Sequence, residues 1–418
     1  MAYGDINIQK LSVGNLDLTN NGPGLQMASM DIYEDILNPM GPVGEIRVVD
    51  AIDALGKTNI SGKENVDISF SGNDIFGFGN KSFKFKLLQN SDLDDNSQTN
   101  YGSSHNKQYT LKMVRPELIN SQGNYVKKSY NSLTSDMVQD IVKNNFKSEA
   151  PVEIKDSTKG QRRIIFHEEH PAEALAKLNN EHVSGQNESS LYTLFMTDDN
   201  GQQKYVFSTY EELFKQAPVA QLYQNATLGA GASEQDKQNN IIWFKASDSF
   251  FTPTRPLDKA NQQSYNLTTG KAYNVPPKST TNFTVADSGN KVYNNYQGTG
   301  DERVPCRTTN CALNNKNQPT YVADARAKRS AFFSHLAQNA AELEIPGNPN
   351  IKLGSMIELN IPGKADPIVS SIGEKQMNGK ALVVSIRHKV KPLGQSPRYT
   401  MILRVVKASY KEQGGGNG

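Results

Sequence analysis

The chain has 418 residues, of which 36% are hydrophobic, 8% aromatic and 21% charged, and its formal net charge is +2. So even a balance gives no general pull toward nucleic acid or an anionic membrane. A mean hydropathy of −0.61, with Asn, Gln, Ser, Thr and Gly abundant, fits a β-rich protein with long polar loops rather than a helical enzyme core. No apolar run approaches the roughly 18 to 20 residues of a membrane helix, so membrane insertion is not expected. The N-terminus, MAYGDINIQK, lacks a charged-then-apolar signal pattern, which predicts synthesis in the cytoplasm without general export.

Residues 1–118 read as all-β. Strands are expected from Ile6 to Val13, Leu25 to Leu37, Val43 to Val49 and Val66 to Phe70, then around Phe83–Leu87 and Tyr109–Met113, with Gly44–Asp50 alternating over most of its length. Asn38-Pro39-Met40-Gly41 supplies a turn. So many strands with short connections suggest a barrel.

Residues 119–215 change to a mixed α+β pattern. Met137, Val138, Ile141, Val142 and Phe146 recur at helical spacing behind Thr134 or Ser135 as N-cap. Ile164-Ile165-Phe166 is a short strand, Pro171 opens a second helix, and a hairpin spans Leu191–Met196 and Tyr205–Phe207. Ser208-Thr209-Tyr210-Glu211 reads as a capping box. Residues 216–335 form a polar, loop-rich excursion. A helix is expected toward its end, from Asp324 through Arg326, Phe332, Phe333, Leu336 and Ala340.

Residues 336–413 return to strands. Ile357, Leu359 and Ile361 alternate, as do Leu382, Val384, Ile386 and Val390, and Tyr399, Met401, Leu403 and Val405. This small antiparallel meander is of a size that closes into a second barrel. Residues 414–418 are a Gly-rich tail. The fold class expected is mainly β with an α+β insertion: two antiparallel barrels around a mixed domain.

Three blocks carry a family resemblance. MDIYEDILNPMGPVGEIRVVDAIDAL with NISGKENVDISF lies in the first strand region, and KKSYNSLTSDMVQDIV, HPAEALAKL and LYTLFMTDDNGQQKYVFSTYEELF lie in the mixed region. IPGNPNIKLGSMIELNIPG, NGKALVVSIRHKV and YTMILRVVK lie in the last. In this order they resemble the baseplate hub proteins of contractile-tailed bacteriophages such as the T-even phages, and the corresponding part of type VI secretion spike proteins. The resemblance covers about 1–215 and 336–410. It implies tube-type barrels, an outward-lying second domain, and a homotrimer that joins a six-fold tail tube to a three-fold spike within the virion's baseplate. Tail tube protein, spike protein and other baseplate subunits would be partners, and phage DNA would pass through the ring without sequence-specific binding.

The chemistry-bearing residues give no catalytic centre, metal site or cofactor. His167 and His170 lie three apart rather than in an HExxH pair, and Pro171 interrupts any helix through them, so His170 reads as the residue just outside a helix. His388 falls on the apolar face of its strand, which points to a packed, hydrogen-bonded imidazole. Cys306 and Cys311 cannot complete a four-ligand zinc site and read as reduced loop thiols or a local disulfide. Asp92, Asp94 and Asp95 lack the remaining ligands of a calcium loop.

One charge pattern stands out. Between Lys375 and Lys411, both included, there are nine Lys or Arg and no Asp or Glu. Arg387, Lys389, Lys391, Arg398, Arg404 and Lys407 are the candidate docking residues for an acidic partner subunit. A solvated face and a lumen that contacts DNA backbone are the competing readings of the same residues. For the whole chain, a baseplate-associated cell-wall hydrolase and a receptor- or carbohydrate-binding β protein compete with a structural role.

Overall fold

The computed structural model describes residues 6–19, 24–58, 60, 62–72, 79–91, 107–179, 182–186, 189–199, 201–224, 239–246, 262–266, 271–275, 307–310, 329, 333, 336, 340–361, 378–393 and 396–407. Cys306, Cys311, Asp92, Asp94, Asp95, His105, His335 and the tail lie outside them. So does most of the 216–335 excursion; of its expected helix Arg329, Phe333 and Leu336 are described as helical, but Ala340, expected in the same helix, begins a strand instead, paired with Val406.

The N-terminal block comprises β1 (Ile6–Val13), β2 (Leu16–Asp17), β3 (Leu25–Asp35), β4 (Val43–Asp50), a helical turn α1 (Ala54–Lys57), β5 (Asn65–Gly72), β6 (Asn80–Ser91) and β7 (Lys107–Val114). All the strands expected there form, and β2 is additional. Alternation decides which face is buried: Leu11 and Val13, Ile46 and Val48, Val66, Ile68 and Phe70, and Phe83, Phe85 and Leu87 all point into one core. The strands pair antiparallel in the order β3-β4-β7-β6-β5-β1-β2.

The mixed region comprises α2 (Pro116–Gln122), β8 (Val126–Ser132), α3 (Thr134–Asn144), β9 (Val152–Ile154), β10 (Arg162–Glu169), α4 (Pro171–Asn179), β11 (Tyr192–Asp199), β12 (Gln202–Thr209) and α5 (Tyr210–Phe214). It has its own core of Val138, Ile141, Phe146, Leu175, Tyr205 and Phe207. Two caps differ from expectation. Leu133 holds the N-cap position of α3 without a side-chain bond, and the Ser135 N–H donates instead to Thr158 Oγ1 at 3.1 Å, so the acceptor comes from a distant loop. At α5 the cap is Thr209, which accepts from Glu212 N–H, one residue later than the Ser208–Glu211 spacing suggested.

Next come β13 (Pro218–Tyr223), β14 (Trp243–Ala246), a small sheet of β15 (Gln262–Asn266), β16 (Lys271–Val275) and β17 (Arg307–Asn310), then β18 (Ala340–Pro346), β19 (Met356–Asn360), β20 (Gly379–Leu393) and β21 (Ser396–Val406). The molecule is mostly β with large antiparallel sheets, as the sequence predicted.

Strand β20 joins the two ends of the chain. Its first part pairs with β19, from Leu359↔Gly379 to Met356↔Leu382. A bulge then falls between Val383 and Ser385. Beyond it β20 pairs with β3, from Ser385↔Asp35 to Val390↔Met30, while β21 runs along its other edge from Leu382 to Leu393. One sheet of 13 strands therefore runs through both strand blocks. The bulge also explains a small misreading: Leu382, Ile386 and Val390 are buried, but Val384 is only half-buried because the extra residue shifts the alternation there. On the far side β13 pairs with β19 and β14 with β18. These two strands meet where Tyr223 N–H donates to Asn239 O at 3.1 Å and Ile241 N–H donates to Tyr223 O at 3.0 Å.

Candidate functional site

The one-signed run of the last strands acquires acidic neighbours in the fold. Glu342 and Glu344 lie on β18 beside β21, and Asp31 and Asp35 lie on β3 beside β20. Arg387 Nε donates to Asp31 Oδ1 at 2.8 Å, and its guanidinium sits 5.1 Å from the Tyr33 ring centroid. Lys389 Nζ lies 3.5 Å from Glu344 Oε1, which also accepts from Thr400 Oγ1 at 3.2 Å. Both cations lie on the opposite face from buried Ile386, His388 and Val390, but each has a carboxylate of its own.

The other candidates divide. Lys391 and Arg398 stand directly opposite each other on β20 and β21, and both are exposed. Arg404 is exposed farther along β21. None of these three has a carboxylate partner among the described residues. Opposed like charges on neighbouring strands repel. Beside them the face dips into an open groove lined in part by Tyr33, Lys245, Glu342, Ser385, Arg387 and Arg404. Lys407 does not belong to this face. It is 3% exposed and donates from Nζ to Asn378 O, and burial lowers its pKa to about 8. Lys407 continues the spacing of Tyr399, Met401, Leu403 and Val405, so the alternation that buries those residues carries it inward too, which the run of like charges masked.

Beneath the face lies a buried polar cluster that the sequence did not announce. Glu34 on β3, Lys81 on β6, Asp198 on β11, His388 on β20 and Tyr399 on β21 are all buried. His388 Nδ1 and Tyr399 OH are 2.7 Å apart, and His388 Nε2 is 3.6 Å from Glu34 Oε1, longer than a hydrogen bond. Burial alone would raise the Glu34 carboxyl, but Lys81 and His388 hold it below its ordinary value. Burial lowers the pKa of His388 and raises those of Asp198 and Tyr399. Phe83 and Phe70 close over His388 and Tyr399 respectively, with ring centroids at 5.7 and 5.2 Å. Packed, hydrogen-bonded His388 is what its strand face implied.

His167 and His170 of the mixed region do different things. His170 Nδ1 accepts from Ala172 N–H at 3.3 Å and its carbonyl from Ala174 N–H, so it caps α4 from outside, while His167 is exposed on β10. Among the described residues no three His, Cys, Asp or Glu side chains converge as metal ligands, and no helix is long and apolar enough to cross a membrane.

Comparison with solved structures places this architecture. A tail protein from Neisseria meningitidis MC58 superposes with a TM-score of 0.59 at 11% identity, over 97% of this chain and 97% of that one. The chain has a phage tail-protein fold. The 43 kDa tail protein of prophage MuSo2 from Shewanella oneidensis agrees, with a TM-score of 0.55 at 13% identity over 97% and 98% of the two chains. A component of the E. coli type VI secretion system is matched at TM-score 0.48 and 8% identity, over 97% of this chain and 77% of that one. No protein-family model matches, and no curated protein does. At these identities the tail-protein likeness is one of backbone architecture, carried by strand pairing rather than by shared residues.

Proposed function

We propose that the chain is a structural tail protein, the hub of a baseplate, in which three copies form a pseudo-six-fold ring between a six-fold tail tube and a three-fold spike. The observation that carries this reading is the fold shared with the Neisseria tail protein over nearly the full length of both chains. The sheet shared by both strand blocks supports it, since two β modules held rigidly edge to edge in each chain would give a trimer six similar wall segments. Closure of each block into a barrel, an outward position for residues 119–215, and ordering of residues 216–335 by neighbouring subunits belong to the same proposal. So does a virion location without catalytic activity.

The docking face is proposed on Lys391, Arg398 and Arg404, with Arg387 and Lys389 contributing less because Asp31 and Glu344 already hold them. An acidic neighbour, tube or spike, would relieve the repulsion between Lys391 and Arg398. Replacing both with Glu should impair assembly onto tube or spike, scored by electron microscopy of purified tails. Normal assembly of that variant would refute the docking role. Cell-wall hydrolysis by the purified chain would refute the structural reading itself.

A further inference from the structure

The buried cluster joins parts of the chain that are remote in sequence. Glu34 and Lys81 come from the N-terminal block, Asp198 from the β11–β12 hairpin, and His388 and Tyr399 from the β20–β21 hairpin. It lies against the β3–β20 pairing, the strand seam that unites the two blocks. The groups facing His388 are Glu34 from β3, Lys81 from β6, Asp198 from β11 and Tyr399 from β21; Lys352 acts on Asp198 from the loop before β19. On the outer side of the same seam, Arg387 is held by Asp31. We propose that Glu34, Lys81, Asp198, His388 and Tyr399 form an acid-released bolt, which holds β3 against β20 at neutral pH and lets the seam part when protons enter.

The charges explain the direction. At neutral pH the Glu34 carboxylate faces the Lys81 ammonium and a neutral His388 ring. Protons added to Glu34 and His388 would leave Lys81 and His388 as two buried cations, and a protonated Asp198 could not offset them. Like charges held out of water destabilise whatever keeps them there. Both Glu34 and His388 have folded pKa values below their ordinary ones. Their contribution is therefore present in full above those ordinary values and is lost as pH falls below about 6.5 for His388 and below about 4.5 for Glu34, through the lower folded values. Asp198, raised, works the other way, but it supplies no negative charge once protonated.

The test is hydrogen exchange on the full chain, read by mass spectrometry from about pH 7.5 to about pH 3, so that the scan passes below the ordinary carboxylate value, and corrected for the chemical exchange rate. Peptides over β3 and the second part of β20 report the seam; peptides over β1 and β5, whose buried side chains, Leu11, Val13, Ile68 and Ser71 among them, include no titratable group, report the rest. Seam amides should lose protection by about tenfold or more at a pH where the β1–β5 amides are still protected. Loss of protection in both at the same pH would overturn the proposal. His388→Gln, which keeps a polar partner for Tyr399 but cannot titrate, should move seam opening to lower pH; unchanged opening in a folded variant would also overturn it. If that variant does not fold, the wild-type comparison alone decides.

Discussion

Glu34 and His388 face each other across the β3–β20 seam, Oε1 to Nε2 at 3.6 Å, with 3% and 1% of their side chains exposed. Lys81, fully buried on β6, acts on the same carboxylate. A buried carboxylate of this kind is worth little in net stability, yet its removal leaves a cation without compensation. Glu34→Gln should therefore cost about 3 kcal/mol at neutral pH, and adding Lys81→Met should recover a large part of that loss. Denaturant unfolding of the two single variants and the double variant checks this. Simply additive losses would mean that Lys81 is not the counter-charge of Glu34.

Gly347 tests the packing of the same region. Its N–H donates to Tyr399 O at 2.9 Å, and a Cβ placed there would lie 1.8 Å from Tyr399 Cδ1. Tyr399 is fully buried and cannot swing aside. Gly347→Ala should destabilise the chain by about 3 kcal/mol or more. It should also weaken the His388–Tyr399 contact. A melting temperature equal to wild type would contradict the placement of the ring.

Arg115 and Glu117 form the joint between the N-terminal block and the mixed region. Arg115 Nε and Nη2 donate to Glu117 at 3.0 and 2.9 Å, Nη1 donates to Lys84 O at 2.7 Å and also to Gln203, and Ser148 Oγ donates to Glu117 at 2.7 Å. Both charged groups are buried. Glu117→Ala would strand the guanidinium and should cost about 3–5 kcal/mol. Loss of less than about 1 kcal/mol, the range of a surface pair, would show that the joint is solvated.

Glu211 gives a pH dependence of the opposite sign to Glu34. Desolvation pushes its carboxyl up to about 7, against the hydroxyl of Ser189, which donates to Oε2 at 2.5 Å. A raised carboxyl pKa means that the folded chain binds the proton more tightly. The stability it contributes is present below the ordinary value of 4.5 and is lost as pH rises through about 7. Glu211→Gln keeps an acceptor for Ser189 and removes the titration. It should gain on the order of 1–3 kcal/mol over wild type near pH 8 and little near pH 4. A gain that does not change with pH would contradict this.

Much of the fold was legible because its strands have one wet face. Ile46 and Val48, or Phe83, Phe85 and Leu87, alternate with polar neighbours, and the strands formed where those residues lie. Helix α3 was legible from Met137, Val138, Ile141 and Val142. What escaped was non-local. Nothing near Val384 marks the bulge where β20 changes partner, because the cause is β3, more than 300 residues earlier in the chain. The docking candidates were read as a one-signed run, yet Asp31 and Glu344, which hold Arg387 and Lys389, lie outside that run. The buried cluster was invisible for the same reason: the strand face of His388 marked it as packed, but Glu34, Lys81 and Asp198 look like ordinary polar residues until the fold brings them to it.

The ring itself is the most direct test of the functional reading. Electron microscopy of intact tails bearing this chain, with copy number from mass measurement of the isolated ring, decides it. Three copies in a ring with pseudo-six-fold symmetry, between tube and spike, is the result expected. A hexameric ring of this chain, or a single copy per particle, would contradict it.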